Sequence, residues 1–199
     1  MQNTSVTHAV MAEANQLHEG AVISAKGLLH LGARSAVDQA LARLAKKNEL
    51  MRAGHGLYVR PIKTKFGVRA PTPEAVVQEI AKSHAELVSK HGAAEANALG
   101  LTTQVPIKSV FLTTGKSRKL KLGSESVELQ NAPSWLVQPT RAGEAIRALY
   151  WIGQPRVGKA LATLKHNLPS EAIDQMVALR PVLPEWLSKS ISEELVPRG

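Results

Sequence analysis

The sequence predicts an α+β fold, with a helical unit closed by a hairpin at the N-terminus and a larger C-terminal domain in which a small antiparallel sheet is flanked by helices. Three observations predict it. Apolar residues recur at helical spacing in short segments before residue 48, and a glycine-containing turn then separates two strand-like runs. Three further strand-like runs between Ile107 and Gln130 are followed by helical patterns. A length of 199 residues suits two small domains, each able to bury a core.

Residues 7–18 are predicted helical from Val10, Ala14 and Leu17, and Glu19-Gly20 ends the pattern. Val22-Ile23 leads to Ser24, an N-cap for a short helix over 25–30 that Gly32 stops. The strongest helical signal is SAVDQALARLAKK, residues 35–47, with Ser35 placed as N-cap. At 100° per residue, Val37, Ala40, Leu41 and Leu44 gather on a face to be buried. Ser35, Gln39, Ala42, Arg43 and Lys46 gather on the opposite one. Between Glu49 and Pro61, two short strands around a glycine turn predict a hairpin. Helix, tight turn, helix and hairpin, in that order and length, are the plan of a winged helix-turn-helix, assigned to residues 1–62.

The segment PIKTKFGVRAPTP, with three prolines, predicts a surface linker over residues 63–73. A second domain is then expected over 74–194. It opens with helical periodicity through Val76, Val77, Ile80, Ala81 and Leu87, followed by a short helix at 93–101. Strand-like runs at 107–113, 118–122 and 126–130 suggest a small meander. Helices are expected at 143–152, 158–167, 170–179 and 184–192, with Trp135, Tyr150, Trp151 and Trp186 packing among them. The terminal LVPRG, residues 195–199, reads as the remnant of a thrombin-cleavable expression tag and is set aside.

The formal net charge is +9, which suits a polyanionic partner. Residues 1–70 hold ten Lys and Arg against four Asp and Glu, whereas residues 71–199 hold fifteen against twelve, so most of the excess sits in the first third. No apolar run approaches the ~20 residues that cross a bilayer. The absence of cysteine excludes disulfides, thiol catalysis and cysteine-ligated zinc. No secretion signal is recognised in MQNTSVTHAV, and a cytoplasmic location is expected.

Double-stranded DNA is the polyanion these elements fit. The 35–46 helix is the candidate to enter the major groove. Arg34 and Ser35 lie at its N-terminus, where backbone N–H groups favour a phosphate. Gln39 is suited to adenine, and Arg43 to guanine or phosphate. Lys46, Arg52, His55 and Arg60 are assigned as sequence-independent phosphate contacts. Lys116, Arg118, Lys119 and Lys121 form a second cationic run, read either as a solvated strand face or as a secondary DNA contact.

No catalytic residue, metal site or cofactor is assigned. The seven histidines lack metal-ligand spacing, and TTGKS lacks the earlier phosphate-loop glycine because position 110 is Val110. Glu125 and Glu128 have no accompanying aspartate to make a nuclease-like set.

The stretch LLHLGARSAVDQALARLAKKNELMRAGHGLYVRP, with the later TPEAVV, GAAEANALGLTTQVP, VFLTTGKSRKLKLG and VELQNAP, resembles the AbiEi-like antitoxin regulators of type IV toxin–antitoxin systems over about residues 21–187. That resemblance implies a winged helix that binds inverted repeats in its own promoter as an autoregulatory repressor, with homodimerisation on DNA as one arrangement. It also implies a C-terminal domain needed for antitoxicity and a nucleotidyltransferase-like toxin as functional partner, opposed without a tight complex. Two other readings stand beside it: an interaction module that binds a toxin directly, and a nucleic-acid-processing enzyme.

Overall fold

The computed structural model describes residues 5–196. They divide into two units. One comprises the described residues up to Ala85 together with Lys119–Val127, and the other comprises Glu86–Arg118 and the described residues from Glu128 on. The fold is α+β, built from small antiparallel sheets and helices.

In the N-terminal unit, α1 (Val6–Gln16) starts at Ser5, whose hydroxyl accepts from the His8 N–H at 3.3 Å. A short strand, β1 (Val22–Ser24), forms where only a connector was expected. Ser24 Oγ accepts from the Gly27 N–H at 3.0 Å, but the next element is a 3-10 helix, Lys26–Leu31, whose N-cap is Ala25 and not Ser24. The main helix, α2 (Arg34–Lys46), begins one residue earlier than its sequence suggests. Ala33 is the N-cap and makes no side-chain bond, so Ser35 lies inside the first turn instead of capping it.

The period of α2 decides what it buries. Val37, Ala40, Leu41 and Leu44 are at most 2% exposed and share a core with Val10, Ala14, Leu28, Leu50 and Tyr58. At about 1.5–3 kcal/mol per fully buried large aliphatic side chain, this face orients the helix more strongly than intrinsic propensity does.

β2 (Met51–Gly54) and β3 (Leu57–Val59) form the expected hairpin, with a register shift between Arg52 and Gly54. β1 pairs antiparallel with β3, Val22 opposite Val59, giving the order β1-β3-β2.

The segment expected as a linker is a second hairpin, β4 (Ile62–Thr64) and β5 (Gly67–Arg69), with Ile62 opposite Arg69 and Thr64 opposite Gly67. Its prolines, Pro61, Pro71 and Pro73, flank the strands and remove no ladder donor. Gly67, at φ +116°, completes the tight turn in backbone space that favours glycine. Helix α3 (Pro73–His84) follows, with Pro73 in its first turn and Thr72 Oγ1 accepting from the Ala75 N–H at 3.4 Å. Val76, Val77, Ile80 and Ala81 are its buried positions.

In the C-terminal unit, β6 (Val88–Lys90) precedes α4 (Gly92–Ala98) and pairs antiparallel with β7 (Ser109–Thr113). β8 (Arg118–Leu122) and β9 (Glu125–Asn131), of which residues 119–127 are assigned to the N-terminal unit, complete a sheet of order β6-β7-β9-β8. The three expected strands are present, but they do not form a meander: β9 lies between β7 and β8, and β6 pairs with the other edge of β7. Helices α5 (Arg141–Ile152), α6 (Val157–Asn167), α7 (Ser170–Ala178) and α8 (Glu185–Leu195) close a core around Ile146, Leu149, Leu161, Leu164, Met176, Leu187 and Ile191.

Tyr150 packs edge-on to Trp135 (5.4 Å between centroids) and stacks on Trp186 (6.2 Å), while Trp151 lies against the same core. Leu195, set aside as tag, ends α8 with its side chain buried in this core. Residues 197–199 of that tag lie outside the described residues.

Candidate nucleic-acid interface

The outward face of α2 carries the strongest cluster of functional candidates. Arg34, Ser35, Gln39, Ala42, Arg43 and Lys46 are all exposed, as their angular spacing from the buried stripe requires. Arg34 Nε donates to Asp38 Oδ2 at 3.0 Å, one turn along. Both side chains are about half exposed (53% and 48%), and such a pair is readily exchanged for a phosphate. The Arg34 guanidinium also lies beside Gly56 of the β2–β3 turn, which places that turn at the N-terminal end of α2. Exposed His55 is in the same turn, and exposed Arg52 is on β2, where its Nε makes only a long 3.4 Å bond to the Gly54 carbonyl.

Arg60 is placed differently. Its Nη1 donates to the carbonyl oxygens of Leu17 and Asn15 (3.4 Å to the latter), at the end of α1, where carbonyls lack helical partners. A cation neutralising that helix terminus has a structural task, so Arg60 leaves the outward set.

The second cationic run divides as well. Lys116 and Arg118 belong to the C-terminal unit, Lys119 and Lys121 to the N-terminal one. On β8, Leu120 and Leu122 are buried while Lys119 and Lys121 are exposed, as strand alternation requires. Arg118 forms a two-pronged pair with Glu86, Nη1 to Oε1 at 3.0 Å and Nη2 to Oε2 at 2.5 Å, and Thr113 Oγ1 donates to the same carboxylate at 2.9 Å. The pair is largely buried, so Arg118 anchors this edge of the C-terminal unit with its guanidinium turned to Glu86. The glycine of TTGKS has its own explanation here. Gly115 sits hard against the Glu86 carboxylate, which a Cβ would displace.

The β4–β5 hairpin was not identified from sequence. Lys63, Lys65, Phe66, Val68 and Arg69 are all exposed on it, with Phe66 at 89%. Its signal lay in the alternation on either side of Lys65-Phe66 and in the glycine that follows.

No group of three or more metal-ligating side chains occurs among the described residues, and none of their helices is long and apolar enough to cross a membrane. In the C-terminal unit, His91 opens α4, its Nδ1 accepting from the Ala93 N–H at 3.2 Å, and burial pushes its pKa below the usual histidine value. It borders a cavity of about 340 Å³ shared with Arg147, Tyr150 and Trp151. Arg147 is committed elsewhere, to Glu95 and to the Leu136 and Gln138 carbonyls.

A family described as one of unknown function (DUF6088) matches residues 10–176. No curated protein and no solved structure matches the chain.

Proposed function

The chain belongs to this family of unknown function, and from its own residues we propose that it is a sequence-specific, double-stranded-DNA-binding transcriptional repressor that reads DNA through its N-terminal unit. The N-terminal unit is a winged helix on this reading. Support comes from the element order helix, strand, 3-10 helix, helix and hairpin, and from β1 completing a three-stranded sheet with that hairpin. The observation that carries the reading is the division of α2. One face is buried to 2% or less, and the other presents Ser35, Gln39, Arg43 and Lys46 to solvent along a helix that fits a major groove. The cationic excess of the first 70 residues supplies the sequence-independent part of the attraction.

Autoregulation through inverted repeats, a homodimer on DNA and an antitoxin role opposing a nucleotidyltransferase-like toxin extend this proposal on the strength of the family resemblance stated above.

The test is DNase footprinting with the full chain on the DNA upstream of its own gene, across a salt series. The expected result is a discrete protected site whose affinity falls steeply with salt. Uniform weak protection with no discrete site would reduce the proposal to non-specific binding, and no protection would remove it. Metal-dependent cleavage of the probe would favour a nucleic-acid-processing enzyme. Co-purification with the neighbouring gene product would favour the interaction module.

A further inference from the structure

The β4–β5 hairpin is exposed without interruption from Lys63 to Arg69. Over that length it carries three cations, Lys63, Lys65 and Arg69, and no acidic residue. A phenylalanine stands at its tip, with Lys65 Nζ 5.0 Å from the ring centroid. The tip is held in shape: Thr64 Oγ1 donates to the Gly67 carbonyl at 2.9 Å and accepts from the Phe66 N–H at 3.2 Å. The base is tied to the unit by the Lys63 N–H donating to Glu19 Oε1 at 3.2 Å. An apolar ring on an ordered arm is exposed to water at a standing cost, and the ordering has already been met before any ligand arrives.

The arm's position within the N-terminal unit matters as much as its chemistry. β3 leaves the sheet at Val59, opposite Met51, which is five residues beyond the end of α2. The arm therefore leaves β3 at the end opposite the β2–β3 turn, and Gly56 beside Arg34 puts that turn at the N-terminal end of α2.

We propose that Phe66 is a DNA wedge: it enters the minor groove beside the major-groove site of α2 and slips between adjacent base pairs, while Lys63, Lys65 and Arg69 hold the flanking phosphates. Apolar wedges braced by cations unstack and bend duplex DNA in this way, and the uniformly cationic arm favours a phosphate-lined partner over a neutral apolar surface. This inference rests on the DNA-binding reading and deepens it.

The experiment uses the full chain on a duplex carrying the DNA upstream of its gene, read by DNase protection, permanganate reactivity of unstacked thymines and circular-permutation bending. Wild-type protein is expected to give a bend and hyper-reactive thymines at an edge of the protected site. Phe66→Ala is expected to keep the site and its salt slope, lose the bend and the reactivity, and bind roughly tenfold more weakly, equivalent to one lost apolar contact of about 1.4 kcal/mol. Phe66→Leu retains an apolar wedge and should keep most of the bend. Because residue 66 is 89% exposed, neither variant touches the core.

Protection by wild type without bending or unstacking, or a Phe66→Ala protein indistinguishable from it, overturns the wedge and leaves the DNA reading standing. Absence of protection overturns both. Loss of binding to phosphatidylserine vesicles by Phe66→Ala, with the DNA bend unchanged, would reassign the arm to a membrane surface.

Discussion

Replacing Arg147 by methionine is expected to be the most damaging single polar substitution in the C-terminal unit. Arg147 is 2% exposed inside α5, and it donates from Nε (3.3 Å) and Nη2 (2.8 Å) to Glu95 Oε1 and from Nη1 to the carbonyls of Leu136 (3.3 Å) and Gln138 (2.7 Å). Methionine fills much of the volume but leaves the Glu95 carboxylate, 6% exposed, without its cation, and two carbonyls without their donor. Removing one member of a buried pair costs about 3–5 kcal/mol. At about 2–4 °C per kcal/mol for a chain of this size, Tm should fall by roughly 6–20 °C.

The second arm of this experiment is Arg147→Met with Glu95→Leu. It removes the orphaned charge but not the orphaned carbonyls, each of which costs about 1–3 kcal/mol. The double variant should therefore recover part of the loss, about 1–3 kcal/mol, and remain below wild type. Urea denaturation followed by tryptophan fluorescence reads this directly, since Trp135 and Trp151 pack against the same core. A single variant costing less than about 1 kcal/mol, or a double variant no more stable than the single one, would refute the argument that charge pairing holds α4 to α5.

Three further expectations concern other groups. Gln39→Ala and Arg43→Ala should each weaken binding to the protected site by about 1–3 kcal/mol without changing Tm, and equal losses on unrelated DNA would show that neither reads bases. Arg60→Ala should instead lower Tm and leave the salt slope of DNA binding unaltered, because its guanidinium is held by carbonyls at the end of α1. For His91 the folded pKa lies below the unfolded value of about 6.5, so its contribution is complete above that pH and declines as pH falls from there through the folded pKa. His91→Asn, which keeps a side chain able to cap α4, should flatten that part of the stability–pH curve, and an unchanged acid slope would exclude His91 as its source.

Much of the candidate site was legible because one periodicity governs it. Val37, Ala40, Leu41 and Leu44 lie at helical intervals, and once that stripe is buried, Gln39, Arg43 and Lys46 have no direction left but outward. Short-range pairing was less legible. β1 and β6, three residues each, are too short to display alternation and exist because β3 and β7 offer them open edges. The β4–β5 hairpin was obscured by flanking prolines that suggested a linker.

By itself, then, the sequence determined the α+β class, the buried and open faces of α2, the first hairpin and the alternation of β8, all of them consequences of local geometry repeated along the chain. Only the tertiary structure decided which cations are available. Arg43 and Arg60 are the same residue type, but one projects from a helix and the other is drawn to carbonyls 43 and 45 positions away. Arg118 is likewise claimed by Glu86, a partner 32 residues distant. A charge's task is set by what the fold brings within about 3 Å of it, and no spacing along the chain encodes that distance.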